Sequence, residues 1–444
     1  MPHRQPNRWI LCALVQLCCL LPGMALAESF SLREPFGDER TFRVKAIVSG
    51  NGQIQTPTQD GKNLEMPLQF QANTNFTERV LPAGGRDDRA WRSLRYYDEA
   101  KSDIKVKNQV TNLRLSSLVR EVVCEGDRKG LIYYSRDMPM RRHDLDLMTI
   151  PADPLALQAI LPAEEIEAGD SWTIPDWAAQ MLVGMEAATK LQMKGTLSEV
   201  NGKLATLKIS GEVSGAITGA AATIQVEGTV QFDLQARYMT SARWIQKEKR
   251  SVSTVSPGMD VTVTVEWVRG PETAATISNA RLAEIPLDPP PISKLLLFDS
   301  QYWKASLIHD RHWYVFQEIP EVAVLRLVEN GALISQCNIA RIGKAEPGQH
   351  VSPEKFESDI RASLGDQFES IVDRQETDSA SGNYILRISA AGKANELAMI
   401  WIYYLCAAED GRQISFVFAV EGSHVEDLQG RDLSMVESLE FKPE

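Results

Sequence analysis

From Leu191 to Val268 apolar and polar residues alternate through five long runs, 191–200, 204–213, 223–238, 241–255 and 260–269. A period of two sends successive side chains to opposite faces of a strand, so runs of this length commit the chain to extended antiparallel sheet. Asn201-Gly202 and Pro257-Gly258 fall between alternations and read as hairpin turns. Long strands in direct succession predict a strongly curved meander. Shorter alternating runs at 41–48, 104–110, 113–123 and 131–135 extend the pattern toward the N-terminus, and Lys105, Lys107, Arg114 and Arg120 place charge on one face. That half of the sheet is expected to be solvated on one side.

Helices interrupt the strands twice. Asp153-Pro154 supplies an N-cap and a proline at the first helical position, and Leu157, Ile160 and Leu161 form an apolar stripe that Pro162 ends. A second helix is predicted near Pro175-Asp176, where Trp177, Met181, Leu182 and Met185 recur at three- and four-residue spacing. This stripe reads as core packing. The small residues from Gly215 to Ala222 suit a bulge, a hairpin tip or the close approach of a helix. They do not make a phosphate loop, because no Lys-Ser/Thr follows the glycines.

Four prolines in the six residues from Pro286 to Pro291 break the pattern and predict a stiff linker over 286–292. It would separate a β-rich half at 28–152 and a segment of helices plus β-meander at 153–285 from an α/β unit at 293–444. In that unit strands are predicted at 313–317, 322–329, 332–342, 368–375, 384–390, 396–406 and 413–420. A helix opens at Ser352-Pro353 with Phe356, Ile360 and Leu364 on one face, and a last helix at 425–432 leads into a strand at 436–441. The class expected for the whole is α+β: a curved antiparallel N-terminal sheet with two or more helices, the proline-rich linker and a C-terminal α/β/α sandwich.

The first residues place the chain in a compartment. Arg4 and Arg8 precede an apolar run from Trp9 to Leu21, followed by Pro22-Gly23 and Ala25-Leu26-Ala27, the pattern of a secretory signal peptide over 1–27 cleaved after Ala27. The run is shorter than the roughly 20 residues that span a bilayer, so no stable membrane anchor is expected. Leu17 before Cys18 and Ile10-Leu11 before Cys12 do not fit a lipidation signal. The destination is periplasmic or secreted. Loss of Arg4 and Arg8 moves the formal net charge from -12 to -14, which argues against nucleic acid as a partner.

Of six cysteines, Cys12, Cys18 and Cys19 leave with the leader; Cys124, Cys337 and Cys406 remain. Cys337 and Cys406 lie in strand-like runs and could pair in an oxidising compartment or stay as two buried thiols. Cys124 reads as a strand residue with no nearby histidine to activate it.

The order of elements over 300–444 resembles the PsbP and Mog1 family. The echoes are an aromatic strand, Trp313-Tyr314-Val315-Phe316, and a closing Met435-Val436-Glu437-Ser438-Leu439-Glu440-Phe441. The resemblance implies an α/β/α sandwich and a binding or accessory role without catalytic residues. Residues 40–270 are similar to secreted bacterial proteins of the planctomycete type, through Arg95-Tyr96-Tyr97-Asp98-Glu99-Ala100, Leu145-Asp146-Leu147, Ile150-Pro151, Leu161-Pro162 and Gly169-Asp170-Ser171-Trp172. That resemblance implies no particular activity. Gly169-Asp170-Ser171-Trp172 reads as a turn that delivers an aromatic ring to the core.

Candidate chemistry is sparse. His309-Asp310-Arg311-His312 comes nearest to a metal pair but lacks a third ligand, and Arg311 opposes a cation. His143-Asp144-Leu145-Asp146 holds acid and base groups; in an extended segment Asp144 and Asp146 share a face while His143 points away. No Gly-x-Ser-x-Gly, Walker loop or dinucleotide fingerprint occurs. No residue is assigned a catalytic, cofactor-binding or metal role, and no cofactor is expected. The expectation is an exported, non-catalytic protein that binds a protein partner or a hydrophobic ligand. A lipid or lipoprotein carrier built on the curved meander is one alternative, and an extracellular hydrolase centred on His143, Asp144 and Asp146 or on His309 and His312 is another.

Overall fold

The computed structural model describes residues 28–35, 40–58, 63–81, 91–127, 130–253, 256–273, 277–286 and 289–443. The leader expected at 1–27 lies outside them. Ten long strands build the first sheet: β1 (Thr41–Pro57), β2 (Asn63–Leu81), β3 (Trp91–Val106), β4 (Glu121–Asp127), β5 (Gly130–Ser135), β6 (Ala187–Asn201), β7 (Leu204–Ile217), β8 (Ala220–Asp233), β9 (Tyr238–Arg250) and β10 (Gly258–Pro271). Their spatial order is β6-β7-β8-β9-β10-β1-β2-β3-β4-β5. Ser171–Thr173 extends the β6 edge and Gln109–Arg114 pairs with β3, which makes 12 strands, all antiparallel.

This order is two meanders joined at a central seam. β10 pairs with β1 along its whole length, Gly258 opposite Gln55 and Pro271 opposite Phe42. The chain therefore leaves the first meander at the β5 edge and re-enters at the opposite edge. It covers the distance with three short helices, α1 (Arg142–Met148), α2 (Pro154–Leu157) and α3 (Asp176–Val183). α3 packs against β5 on one side and β6 and β7 on the other, so the sheet curls around it without closing into a barrel. The inward phase of the strands, with Val44, Phe76, Tyr97, Ile224, Trp244, Val265 and Trp267, shares one core with Leu155, Leu157, Ala178 and Leu182 of the helices. The indole nitrogen of Trp267 donates to the Ala152 carbonyl at 2.9 Å and that of Trp172 to Ile160 at 2.7 Å, tying the crossing to the sheet. The expected cap at Asp153 is present: its carboxylate accepts from Leu155 N at 2.8 Å. The small-residue patch is the β7–β8 hairpin tip, where Gly215 has Ala187 O 1.9 Å from the position of a Cβ.

Beyond Pro291–Lys294, a single 3-10 turn, lie β11 (Leu296–Ser300), β12 (Ala305–His309), β13 (Trp313–Glu318), β14 (Val322–Glu329), β15 (Ala332–Ile342), β16 (Phe368–Asp378), β17 (Tyr384–Ala394), β18 (Leu397–Ala407) and β19 (Gln413–Glu421), with α4 (Pro353–Leu364) and α5 (Arg431–Glu437). β13 to β19 form a seven-stranded antiparallel sheet in the order β13-β14-β15-β19-β18-β17-β16. α4 begins as predicted, Ser352 accepting from Lys355 N at 3.2 Å. Its buried Phe356, Ile360 and Leu364 pack on Leu386, Ile388, Trp401 and Leu405, and at ~1.5–3 kcal/mol per buried apolar side chain this face holds the helix down. The opposite face is covered chiefly by a small sheet in which Glu440–Phe441, β12, β11 and Met140–Arg141 lie side by side.

The expected α+β class, with its C-terminal α/β/α sandwich, is therefore corrected. Strand takes 59% of the described residues and helix 15%. One outer layer of the supposed sandwich is mainly strand, because the apolar run at 295–298 extends as β11 and pairs with β12. The last helix and strand also move. Gln429 and Gly430 adopt left-handed backbones (φ 51° and 75°) that break 425–432 into 3-10 turns, α5 then takes Met435 and Val436, and only Glu440–Phe441 remains as strand. Cys124, Cys337 and Cys406 are free and buried. β19 lies between the strands of the latter two, with Cys337 opposite Phe418 and Cys406 opposite Ile414, so they do not meet.

Candidate functional site

The inward phase of β9 departs from its neighbours. Ala242 and Trp244 are apolar, but the next three inward positions are Gln246, Glu248 and Arg250. They form the polar side of a cleft of about 500 Å3 between the sheet and α3. The apolar side comes from Leu131 on edge strand β5, Met181 and Val183 of α3, Met185 just after it, and Ile217 at the end of β7. A cleft of this size suits a small-molecule ligand.

Its polar groups are unequally satisfied. Arg250 is bound to Glu248 Oε1 through Nε at 2.8 Å and Nη2 at 2.5 Å. Gln180 Nε2 donates to the Glu186 carbonyl at 3.1 Å. Gln246 is 4% exposed and its Oε1 accepts no hydrogen bond from any described residue, a cost of about 1–3 kcal/mol unless a donor enters the cleft. Glu186 stands at the rim. Its Oε1 accepts from the Tyr314 hydroxyl of β13 at 3.2 Å, while Oε2 is buried without a partner among the described residues. Burial, then the Glu186 charge, pushes Tyr314 up to about 12, so its phenol keeps its proton.

Behind the cleft lies a chain of buried charges, Asp153–Arg95–Glu78–Arg269–Glu34. Arg95 clamps Asp153 through two bonds of 2.7 Å and reaches Glu78 at 2.8 Å. Arg269 lies 3.4 Å from the other Glu78 oxygen and binds both oxygens of Glu34 at 2.8 Å. Burial alone would raise the Asp153 carboxyl, but the Arg95 charge and hydrogen bonds, with Leu155 N and the Tyr133 hydroxyl, hold it below the usual carboxylate range. Asp153 is also the cap of α2, so the network fixes the crossing helices to β2, β3 and β10. Sealed from solvent, its three carboxylates are held by two guanidiniums together with neutral donors, Leu155 N and Tyr133 on Asp153 and Met239 N and Gln158 on Glu34, and the network serves as a framework.

The histidine clusters do not assemble a site. His143-Asp144 lies in α1, not in an extended segment. Asp144 is buried and accepts from Ser116 N at 2.9 Å, with His143 Nε2 at 3.7 Å, while Asp146 faces solvent. His309 ends β12, buried, its Nδ1 2.8 Å from the Asp310 carbonyl. His312 is paired with Asp310 at 2.7 Å. No group of three metal-ligating side chains occurs among the described residues. Arg311 turns inward instead, donating to Lys294 O and, at 2.6 Å, to Tyr133 O. Asp170 accepts from Glu167 N at 3.0 Å and Trp172 packs on Gly195, the turn-and-aromatic arrangement expected of 169–172.

Sequence reasoning anticipated the Met181 and Met185 stripe as core and passed over Gln246, Glu248 and Arg250. The signal for them was present: polar residues on the inward phase of an otherwise alternating strand.

No family model matches the chain, and no curated protein matches it, so the similarity to secreted planctomycete-type proteins gains no support there. Among solved structures, PsbP from Synechocystis sp. PCC 6803 is similar over 33% of this chain and 92% of its own, at 11% identity and a TM-score of 0.26. A Bacteroides thetaiotaomicron protein is similar over 33% of this chain and 48% of its own, at 10% identity and a TM-score of 0.24. The OccK11 protein of Pseudomonas aeruginosa covers 89% of this chain and 98% of its own, at 7% identity and a TM-score of 0.15. The PsbP-type likeness thus touches a part of the chain. At these scores none of the three carries an argument.

Proposed function

We propose that this chain is an exported, non-catalytic binding protein that takes an apolar ligand with a polar head into the cleft between α3 and the curled sheet. The observation that carries the reading is the unpartnered Gln246 Oε1, buried at the polar end of an otherwise apolar cleft. A hydroxyl or amide donor on the ligand would satisfy it while the apolar body lies against Met181, Met185 and Ile217. A lipid or a lipoprotein acyl chain has this chemistry. His309 and His312 are both engaged by Asp310, and Asp144 is held by Ser116 N with His143 3.7 Å away, which supports the non-catalytic half of the reading. Export rests on Arg4, Arg8, the apolar run and Ala25-Leu26-Ala27, and N-terminal sequencing of the protein from the periplasm or medium should begin at Glu28.

Native mass spectrometry of the exported protein tests the ligand. A lipid-sized adduct is expected, together with displaceable uptake of a fluorescent fatty acid. Ile217→Trp, which fills the cleft, should weaken uptake at least tenfold. A chain that carries no adduct and takes up no probe overturns the reading.

A protein partner is the second reading. It is favoured by Val315, Phe316 and Ile319, exposed on and just after β13 at the edge of the seven-stranded sheet, where an unpaired strand edge can accept another chain. Phe316→Lys should then abolish co-purification of that partner and leave ligand uptake intact.

A further inference from the structure

The cleft between α3 and the curled sheet favours one sign of charge in the group it takes. The lining side chains that can donate hydrogen bonds are Tyr133, Thr149, Gln180, Gln246 and Arg250, and all but Gln246 are engaged inside the protein. The Tyr133 hydroxyl donates to Asp153 at 3.0 Å, Thr149 Oγ1 to Leu145 O at 3.0 Å and Gln180 Nε2 to Glu186 O at 3.1 Å. Arg250 gives Nε and Nη2 to Glu248, and Nη1 to Thr218 and Ser256 at 3.3 Å each.

The buried atoms left over are acceptors. Gln246 Oε1 and Glu186 Oε2 belong to lining residues, and neither has a partner among the described residues. Gln246 is 4% exposed and stands on the inward phase of β9. Charge points the same way. Glu186 and Glu248 line the cleft against the single guanidinium of Arg250, an excess of one carboxylate. Behind Tyr133, the buried network sets the three carboxylates of Asp153, Glu78 and Glu34 against the two guanidiniums of Arg95 and Arg269, a second excess of the same sign.

We propose that the polar head of the ligand is an ammonium, so that the cleft takes an amphiphilic amine in preference to a fatty acid or a phospholipid. This rests on the reading that an apolar ligand with a polar head enters the cleft. An ammonium carries three donors and no acceptor. It satisfies Gln246 Oε1 with a charge-assisted bond, roughly twice as strong as a neutral one. A carboxylate or phosphate head only accepts. It would meet the Gln246 amide nitrogen while Arg250 stays bound to Glu248, and would add negative charge to a wall that already holds an excess. A fatty acid then enters on its apolar body, against Met181, Met185 and Ile217, and ranks below the amine.

Displacement of the fluorescent fatty acid from the full chain tests the ranking, with dodecylamine, dodecanol and dodecanoate as competitors at pH 7, where an alkylamine is protonated as a lysine is. Dodecylamine is expected to displace the probe at a concentration about tenfold or more below that of dodecanoate, with dodecanol between them. Glu186→Gln removes a charge from the wall and should narrow the gap between dodecylamine and dodecanoate several-fold. Gln246→Leu removes the acceptor and should narrow it as well; the buried oxygen it replaces has no partner, so the melting temperature should not fall. Dodecanoate that displaces the probe as well as dodecylamine does, or an amine preference unchanged in both variants, overturns this proposal and leaves the cleft reading standing. A chain that takes up neither the probe nor the amine overturns the cleft reading and this proposal with it.

Discussion

Arg95 joins three parts of the fold, β3, β2 and the cap of α2. It is fully buried between Glu78 and Asp153, and its removal leaves both carboxylates inside the sheet with their principal cation gone. Arg95→Met should therefore cost about 3–5 kcal/mol, read as a fall in the urea midpoint; a cost below about 1 kcal/mol would show that the network is dispensable. His309 acts through pH. Burial, followed by the nearby Arg142 charge and opposed by the Asp310 carbonyl and carboxylate, pushes its imidazole down from 6.5 to about 4. Between these values the unfolded chain binds a proton that the folded chain does not, so stability falls as the pH drops from 6.5 toward 4, by about 3 kcal/mol in total. Above pH 6.5 His309 adds no slope. His309→Asn should flatten denaturation free energies measured between pH 7 and 4.2. The depressed Asp153 carboxyl causes a separate loss that sets in only below about pH 4.

Among the elements, the Trp172 edge shows how a strand can be placed by one residue it does not contain. A Cβ on Gly195 would sit 2.2 Å from the Trp172 ring, so Gly195→Ala should expel the indole from Ile160 O, shift its fluorescence to the red and cost about 1–3 kcal/mol as overpacking does. Such local devices were legible in the sequence. The alternations of β6 to β10, the Asp153 and Ser352 caps and the α4 stripe each depend on residues a few positions apart. What escaped was set by distance. β11 opens on the short apolar run 295–298, which has no alternation to mark it as a strand, and its parallel partner Met140–Arg141 lies more than 150 positions earlier in the chain. Arg269 lies in a run read as strand, but Glu78 and Arg95 lie in none, and the three could not be joined as one network because the β10–β1 seam that brings them together has no local signature. The cleft was half legible: its apolar wall was read as core, and its polar wall was not singled out.

At the scale of the molecule, the two sheets are not strung on a free tether. Met140–Arg141 supplies a strand to the small C-terminal sheet, Arg311 donates to Tyr133 O, and the Gly331 turn abuts Ala216 at the tip of the β7–β8 hairpin. Burial and the neighbouring Arg142 push the Arg311 guanidinium down to about 10, which leaves it charged at neutral pH. Arg311→Ala strands two carbonyls in the interface and should split a single calorimetric unfolding transition into two; one sharp transition at the original temperature would show that the contact is passive. The β10–β1 seam has a consequence in time. Thr41 to Pro57 can meet its second neighbour only after Gly258 to Pro271 has been synthesised, so one margin of the first meander waits, open and adhesive, while the whole intervening chain emerges. Loop closure over that span is slow. Refolding of the chain in dilute buffer should be limited by the rate at which that margin finds its mate, a step that an escorting holdase would protect from aggregation.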